Sequence, residues 1–211
     1  MLYRYLMKLI INLLSKVEYL TSILQGKGFG AAKISLGIET EKALSFLSKS
    51  RTLTVFDVGA NIGEYSKKIL KINENCKIII FEPSKKNSRI LKKKFKNFLD
   101  KVKVENLGLN SKNGYFKLYY DKLGSPLASL SKRSFLGSNL KIKGFERVQF
   151  TTLKKYLARN KIRNIDLLKL DVEGFELQCL QGAGKYINKI KVIQFEFGGC
   201  NIETRTFFRD F

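Results

Sequence analysis

An α/β fold, built on a mostly parallel sheet doubly wound by helices on both faces, is the architecture that the sequence predicts, on three observations. Near-continuous apolar runs of β-type residues alternate with segments of helical periodicity, the pattern of strands buried on both faces. The run TVFDVGANIG at 54–63 ends on an acid and a glycine-rich turn, and FEP at 81–83 closes the next run with a second acid. A third run, LLKLDVEGFE at 167–176, adds a charged cluster at its carboxyl end, where open α/β sheets gather their ligands.

The elements follow in order. Leu2, Leu6, Leu9, Leu13, Val17, Leu20 and Leu24 recur at spacings of three and four, which predicts an amphipathic helix over 2–24. Arg4, Lys8, Asn12, Lys16 and Glu18 interrupt it, so it lacks the roughly 20 apolar residues that a bilayer crossing needs. Its short apolar centre, with no small-residue cleavage site after it, also fits a signal peptide poorly. Such a stripe reads first as packing on protein, either this domain or a second copy in a homodimer, with peripheral contact with a membrane surface as the alternative that the same pattern serves. Gly26, Gly28 and Gly30 then form a hinge, so that residues 1–30 are an N-terminal extension and 31–211 the main domain.

IETEKALSFLSKS (38–50) reads as helix, LTVFDVG (53–59) as strand, EYSKKILKI (64–72) as helix and KIIIFEP (77–83) as strand. KKNSRILKKKFKNF (85–98) is a helix whose lysines face water, and VKVENLGL (102–109) is a third strand, completing a βαβαβ pattern. NGYFKLYYD (113–121) and FERVQFTTL (145–153) are further strands around KLGSPLASLSKRSFLGSN (122–139), which is either a cover over a site or a plain connection. TTLKKYLARN (151–160) is a short helix, IDLLKLDV (165–172) a buried strand, ELQCLQGAGKYI (176–187) a helix and KVIQFEFG (191–198) a last buried strand.

Composition narrows the chemistry. With 211 residues, 44% of them hydrophobic, the chain supports one ordinary domain with a continuous core. The formal charge of +22 attracts nucleic acid, anionic lipid or acidic glycans, although lysine scattered beside abundant Ile and Asn also reflects compositional bias. Cys76, Cys179 and Cys200 are odd in number and sit in apolar surroundings, which predicts reduced thiols and a cytoplasmic, reducing location. The absence of histidine removes every Ser/His/Asp or Cys/His relay and every imidazole metal ligand. No carboxylate spacing builds an oxygen cage, so no metal is expected.

The glycine turn points to a nucleoside cofactor. Gly59 and Gly63 allow a tight strand-to-helix turn with close backbone approach. A dinucleotide fingerprint would read GxGxxG, whereas here Ala60-Asn61 replaces the middle glycine and Asp57 opens the motif. An acid there repels pyrophosphate and suits an amino group and a sulfonium, which favours S-adenosylmethionine over a nicotinamide cofactor. Glu82 stands where a ribose-binding acid is expected, at the end of the second strand, although that position serves either cofactor.

DVGANIGEYS, FEP, NLGLNSKNG, the TTL before a short helix, LLKLDVEGFELQCLQGA and VIQFEFG together resemble the FkbM family of S-adenosylmethionine-dependent methyltransferases, over residues 54–205. The resemblance implies a Rossmann-like class I methyltransferase fold in residues 31–211 and methyl transfer to a hydroxyl, commonly on a sugar or a polyketide. It further implies that Asp57, Gly59, Asn61 and Gly63 hold the methionine end of the cofactor, Glu82 the ribose, and the corner from Asn106 to Gly108 the adenine. Two features depart from the family. Lys154 stands where an acid often begins the short helix, and the sequence ends at TRTFFRDF, where a closing antiparallel strand pair is expected to be lacking.

The chemistry is expected around Lys169, Asp171 and Glu173. Period two along a strand puts Lys169 and Asp171 on one face, and a lysine inside IDLLKLDV needs a carboxylate partner, with Asp171 and Glu196 as candidates. Such a trio either orients the strand ends or catalyses, with Asp171 positioning or deprotonating the acceptor hydroxyl. Asp166 and Glu176 read as strand-start and helix-surface charges, while Asn201, Thr204 and Arg205 are candidates to face the acceptor. The functions carried forward are an O-methyltransferase acting on a sugar of a glycan or glycolipid, an RNA methyltransferase, and a non-catalytic remnant.

Overall fold

The computed structural model describes residues 2–24, 33–48, 50–132 and 141–211. The hinge glycines Gly26, Gly28 and Gly30 and the end of the Ser/Gly-rich loop, 133–139, lie outside the described residues. The chain divides into two compact units, Met1–Phe46 and Leu47–Phe211.

The first unit holds α1 (Leu2–Leu24) and α2 (Lys33–Ser45). α1 spans the predicted apolar stripe, and no helix among the described residues is long and apolar enough to cross a membrane. α2 begins before the predicted helix and ends earlier, at Ser45.

The second unit runs β1 (Leu53–Val58), α3 (Glu64–Ile72), β2 (Cys76–Phe81), α4 (Lys85–Lys94), β3 (Val102–Glu105), β4 (Gly108–Leu109), β5 (Gly114–Tyr120), β6 (Gly144–Thr151), α5 (Leu153–Arg159), β7 (Ile165–Leu170), α6 (Glu176–Gln181), β8 (Ile190–Phe195) and α7 (Gly199–Glu203). Five strands form one parallel sheet in the order β3-β2-β1-β7-β8, flanked by helices, as the sequence predicts for a doubly wound α/β fold. All six residues of β7 are buried, which is why Ile165–Leu170 reads as an unbroken apolar run despite Asp166 and Lys169. The chain leaves β1 toward β2 on one side and returns to β7 on the other. This reversal opens a crevice at the carboxyl ends of β1 and β7.

Aromatic rings lock the core under that crevice. Phe81 lies 4.7 Å from Tyr156 and 5.4 Å from Phe56, centroid to centroid, so β1, β2 and α5 meet in one cluster. Fully buried side chains such as Phe56, Phe81 and Leu168 each contribute about 2 kcal/mol through apolar burial. The Tyr156 hydroxyl donates to Glu105 at 2.8 Å, so the one polar atom of the cluster is satisfied at its rim.

The predicted third strand is in fact two. β3 stays in the parallel sheet, while β4 pairs with β6 in a second sheet ordered β4-β6-β5. Asn106 causes the break. Its amide donates to the carbonyls of Glu82 and Pro83, both at 2.9 Å, and turns the chain away from β2. The helix predicted over 176–187 is likewise interrupted after Gln181, with a 3₁₀ turn at Gly184–Lys189. Gly184 takes φ +51°, and a Cβ on Gly182 would come within 2.3 Å of the Asn110 carbonyl. α4 stops at Lys94, short of the predicted end. Glu176 is not the surface charge expected of it. It is buried, and its carboxylate accepts from the N–H groups of Val172 (2.9 Å) and Gly174 (3.3 Å), holding the turn between β7 and α6.

β8 forms one edge of the main sheet, and no further strand pairs with it among the described residues. The chain continues instead into α7 and a 3₁₀ turn at Phe208–Asp210. Phe211 and Phe208 stack on Phe195, with centroids 4.4 Å and 6.2 Å away.

Candidate active site

The glycine turn after β1 has the strained geometry its sequence anticipates. Gly59 takes φ +74°, and a Cβ there would come within 1.8 Å of the Asp171 carbonyl, so the ends of β1 and β7 touch backbone to backbone. Asn61 follows at φ 51° and Gly63 at φ +80°. A Cβ on Gly63 would meet Leu91 at 2.6 Å and Phe95 at 2.8 Å, so that glycine serves the packing of α3 against α4. Glu64 then opens the first turn of α3, an acid placed where a dinucleotide-binding helix would receive pyrophosphate.

Lys169 is the buried hub behind this turn. Its ammonium lies 3.3 Å from Asp57, 3.2 Å from Asp171 and 3.3 Å from the Gly59 carbonyl, and 5.6 Å from the Tyr65 ring centroid. Burial alone would lower the lysine pKa, but the Asp171 and Asp57 carboxylates hold it above its ordinary value. Lys169 is therefore a fixed cation. Asp57 is fully buried, accepts from Ser66 Oγ at 2.6 Å, and does not line the crevice. Its carboxylate faces Lys169 and Ser66, behind the turn.

Glu82 faces the crevice from the end of β2. Its two oxygens accept the N–H groups of Ser84 (2.9 Å) and Asn61 (2.8 Å), which fixes the carboxyl against the glycine turn. Burial lifts its pKa to about 7, against the lowering pull of those two N–H groups and of Lys169. Asn61 also accepts from Asn87 Nδ2 at 3.0 Å, which ties the turn to α4. Asn106 is exposed and engaged with backbone carbonyls, so from its corner only Gly108 reaches the cavity, followed by Leu109.

The crevice opens into a cavity that, with the open solvent at its mouth counted, holds about 580 Å³ of empty space. Its polar lining comes from Asn61, Glu82, Asn87, Asp171 and Glu173, with Gly59 beside them in the chain. Its apolar lining comes from Leu109, Leu118, Phe150 and Phe175 together with Pro126, Ala128 and Leu130. The last three belong to the loop after β5, so its described part is a cover over the site. Tyr119 and Ser129 exchange backbone hydrogen bonds, and Ser129 Oγ donates to the Glu173 carbonyl at 2.9 Å, strapping the loop onto the turn after β7. Among the described residues that line this cavity there are three carboxylates and no lysine or arginine, in a chain of net charge +22.

Asp171 and Glu196 are brought together at the carboxyl ends of β7 and β8. The Glu196 carboxyl is pushed up to about 7 by desolvation first and then by the neighbouring Asp171 charge. The three candidates beyond β8 lie elsewhere, Thr204 outside the cavity lining with its hydroxyl donating to the Asn201 carbonyl at 3.2 Å. Asn201 is buried, accepting from the Gly198 N–H at 2.8 Å and donating to Glu176 at 3.4 Å, while Arg205 is exposed and outside the cavity. Cys76 and Cys179 are buried free thiols and Cys200 is a partly buried one, donating to Glu173 at 3.1 Å. Among the described residues no group of His, Cys, Asp or Glu is arranged to hold a metal ion.

The family model for the FkbM methyltransferase domain matches residues 57–210, from the glycine turn to the final 3₁₀ turn. The chain belongs to the FkbM methyltransferase family. A search among curated proteins returned no match. The match of this FkbM domain takes in the crevice, the strapping loop and the trio Lys169, Asp171 and Glu196, so the cavity lies within the methyltransferase domain proper.

Reading the sequence alone missed several residues of the FkbM cavity. Asn87 was hidden in a lysine-rich helix, although it shares a buried face with Ser88 and Leu91, a polar residue on an otherwise inward stripe. Leu118 and Phe150 come from the second sheet, whose packing against the crevice leaves no mark on the local pattern. Glu146 caps α4 from that same sheet, accepting from Ser84 Oγ (2.9 Å) and the Lys85 N–H (3.2 Å).

Proposed function

We propose that this FkbM domain transfers a methyl group from S-adenosylmethionine to a hydroxyl, on a sugar of a glycan or glycolipid. The observation that carries the reading is a cavity whose described lining holds three carboxylates and no lysine or arginine. Three carboxylates and a turn backed by Asp57 suit a ligand with an amino group, a sulfonium and ribose hydroxyls, and oppose one with phosphates. Gly59 and Asn61 would cradle the methionine end, Glu82 would accept from the ribose, and Gly108 and Leu109 would flank the base. Bound there, the cofactor supplies an electrophilic methyl group on a positively charged sulfur.

Asp171 is the proton acceptor in this reading. It stands at the carboxyl end of β7 on the cavity wall, held by Lys169 and adjacent to Glu196. Asp171 would take the proton that the acceptor hydroxyl gives up as its oxygen is methylated. The cover made by Pro126, Ala128 and Leu130 keeps water from competing for the methyl group. Alignment supplies much of the rate in such a transfer, so one weak base suffices.

The test offers isotopically methyl-labelled S-adenosylmethionine to the purified chain with a glycan fraction, a glycolipid fraction and RNA in parallel. Label in the sugar fractions supports the reading. Label in RNA alone would show that the +22 charge marks a nucleic-acid acceptor instead.

A further inference from the structure

α1 carries a seven-residue repeat that methyl transfer leaves unexplained. Leu6, Leu13 and Leu20 recur every seven residues, and Ile10 and Val17 each follow one of these leucines by four. Labelled as heptads, the leucines take position d and the β-branched pair position a, the alternation that keeps one seam on one side of a supercoiled helix. In the sequence the same register runs on to Tyr3 and Leu24, three heptads with no charged residue at a or d. The neighbouring register, through Leu6, Leu9 and Leu13, would bring Lys16 into the seam.

The seam is bare in the single chain. Leu6, Ile10, Leu13, Val17 and Leu20 are each between 44% and 63% exposed, and of the side chains described in α1 only Tyr19 is partly shielded. A row of large aliphatic side chains left in water marks an interaction surface. Its composition selects what covers it, because β-branched residues at a with leucine at d favour two parallel strands over three or four. The flanks agree. In a parallel pair each g residue meets the e residue five places on in the second copy, so Leu9 faces Leu14 and Lys16 faces Thr21. The first pairing widens the apolar contact, and the second brings no like charges together. A membrane surface fits less well. Helices that lie on one carry lysine and arginine along their polar face, whereas beyond the first heptad the face opposite this seam holds Asn12, Ser15, Glu18, Tyr19 and Ser22 and no cation.

We infer that α1 is a self-association element: two copies of this chain pair through a parallel, two-stranded coiled coil whose seam includes Leu6, Ile10, Leu13, Val17 and Leu20. A dimer so formed carries two FkbM domains. The inference depends on neither the cofactor nor the acceptor of the methyl transfer.

The experiment is sedimentation equilibrium on the full chain over a range of concentrations. Wild type is expected at twice the 24.2 kDa of one chain. Leu13→Glu, which puts two facing carboxylates into the seam, should weaken the association at least about 100-fold and sediment as a single chain. Ile11→Glu, at an exposed apolar position outside the seam, should stay dimeric. Leu20→Cys, under oxidation, should cross-link to its own kind, since like positions near a helix end face each other only in a parallel pair; wild type, with its three free cysteines, is the control. That variant puts no charge into the seam, so it decides the question if Leu13→Glu does not fold. A wild type that sediments as a single chain, or as three or more, would overturn the inference. So would a Leu13→Glu chain as dimeric as wild type, a single-chain Ile11→Glu, or Leu20→Cys that cross-links no more than wild type. A single-chain wild type that floats with vesicles of phosphatidylcholine and phosphatidylserine would assign the seam to a lipid surface instead.

Discussion

Lys169 and Asp57, register partners on β7 and β1, form an ion pair at 3.3 Å in which the aspartate is fully buried. The same ammonium reaches Asp171 at 3.2 Å. One cation therefore neutralises the acid that anchors the glycine turn and orients the acid that reaches the cavity. Its contribution is positioning, because a lysine held charged by two carboxylates has no lone pair to offer.

Removing the cation leaves a buried charge uncompensated. Lys169→Met is expected to destabilise the domain by about 3–5 kcal/mol, read from urea unfolding. Adding Asp57→Asn to that variant should recover much of the loss. A Lys169→Met chain as stable as wild type would show that the pair does not hold the strand ends together.

Gly59 has no room for a side chain and a backbone conformation that disfavours one. Gly59→Ala should lower Tm by about 10 °C, since both the clash with the Asp171 carbonyl and the positive φ must be relieved by moving the turn. Circular dichroism melting checks this, and an unchanged Tm would contradict the close approach of β1 and β7.

Asp171 lies at the cavity end of the chain of charges. Asp171→Asn should keep S-adenosylhomocysteine affinity within a few fold yet cut methyl transfer by roughly 100-fold or more. Turnover equal to wild type would remove Asp171 from the role of base.

Glu82 makes stability depend on pH. Its folded pKa, raised to about 7 from an ordinary 4.5, means that the native state holds the proton more tightly than the unfolded chain. The associated stability is complete below about pH 4.5 and is lost as pH rises toward about 7. Glu82→Gln lacks this slope, so relative to wild type it should gain up to about 3 kcal/mol between pH 4.5 and pH 8. The same variant should bind S-adenosylhomocysteine at least tenfold more weakly. Unfolding curves at the two pH values decide it, and parallel profiles would show that Glu82 is not held in a desolvated site.

Much of the frame was legible because its signals are local. The five parallel strands announce themselves as apolar runs, and the turn at Gly59 and Gly63 as a break between one such run and a helix. Three of the departures share another cause. The strand after 102 divides because Asn106 finds two carbonyls just past β2, the helix after 176 ends because Gly182 abuts Asn110, and Glu176 is buried because two N–H groups of its own turn receive it. In each case a partner outside the local pattern overrides the local preference. Periodicity records which face a residue turns inward and not which atom waits there.

By itself the sequence determined the family, the order of strands and helices, and the acids at the ends of β1, β2 and β7, since buried strands and tight turns are written in short-range patterns of apolar and glycine residues. Only the tertiary structure decided which of those acids line the cavity. Asp57 and Glu82 look alike as strand-end carboxylates, yet Lys169 from β7 neutralises the first inside the protein, while the second is left against the cavity with backbone N–H groups behind it. The tertiary structure also brought the strap from the second sheet and Asn87 of α4 to the same cavity. The physical reason is that the environment of a buried charge or amide is set by groups far away in the chain, and only folding chooses which of them arrive.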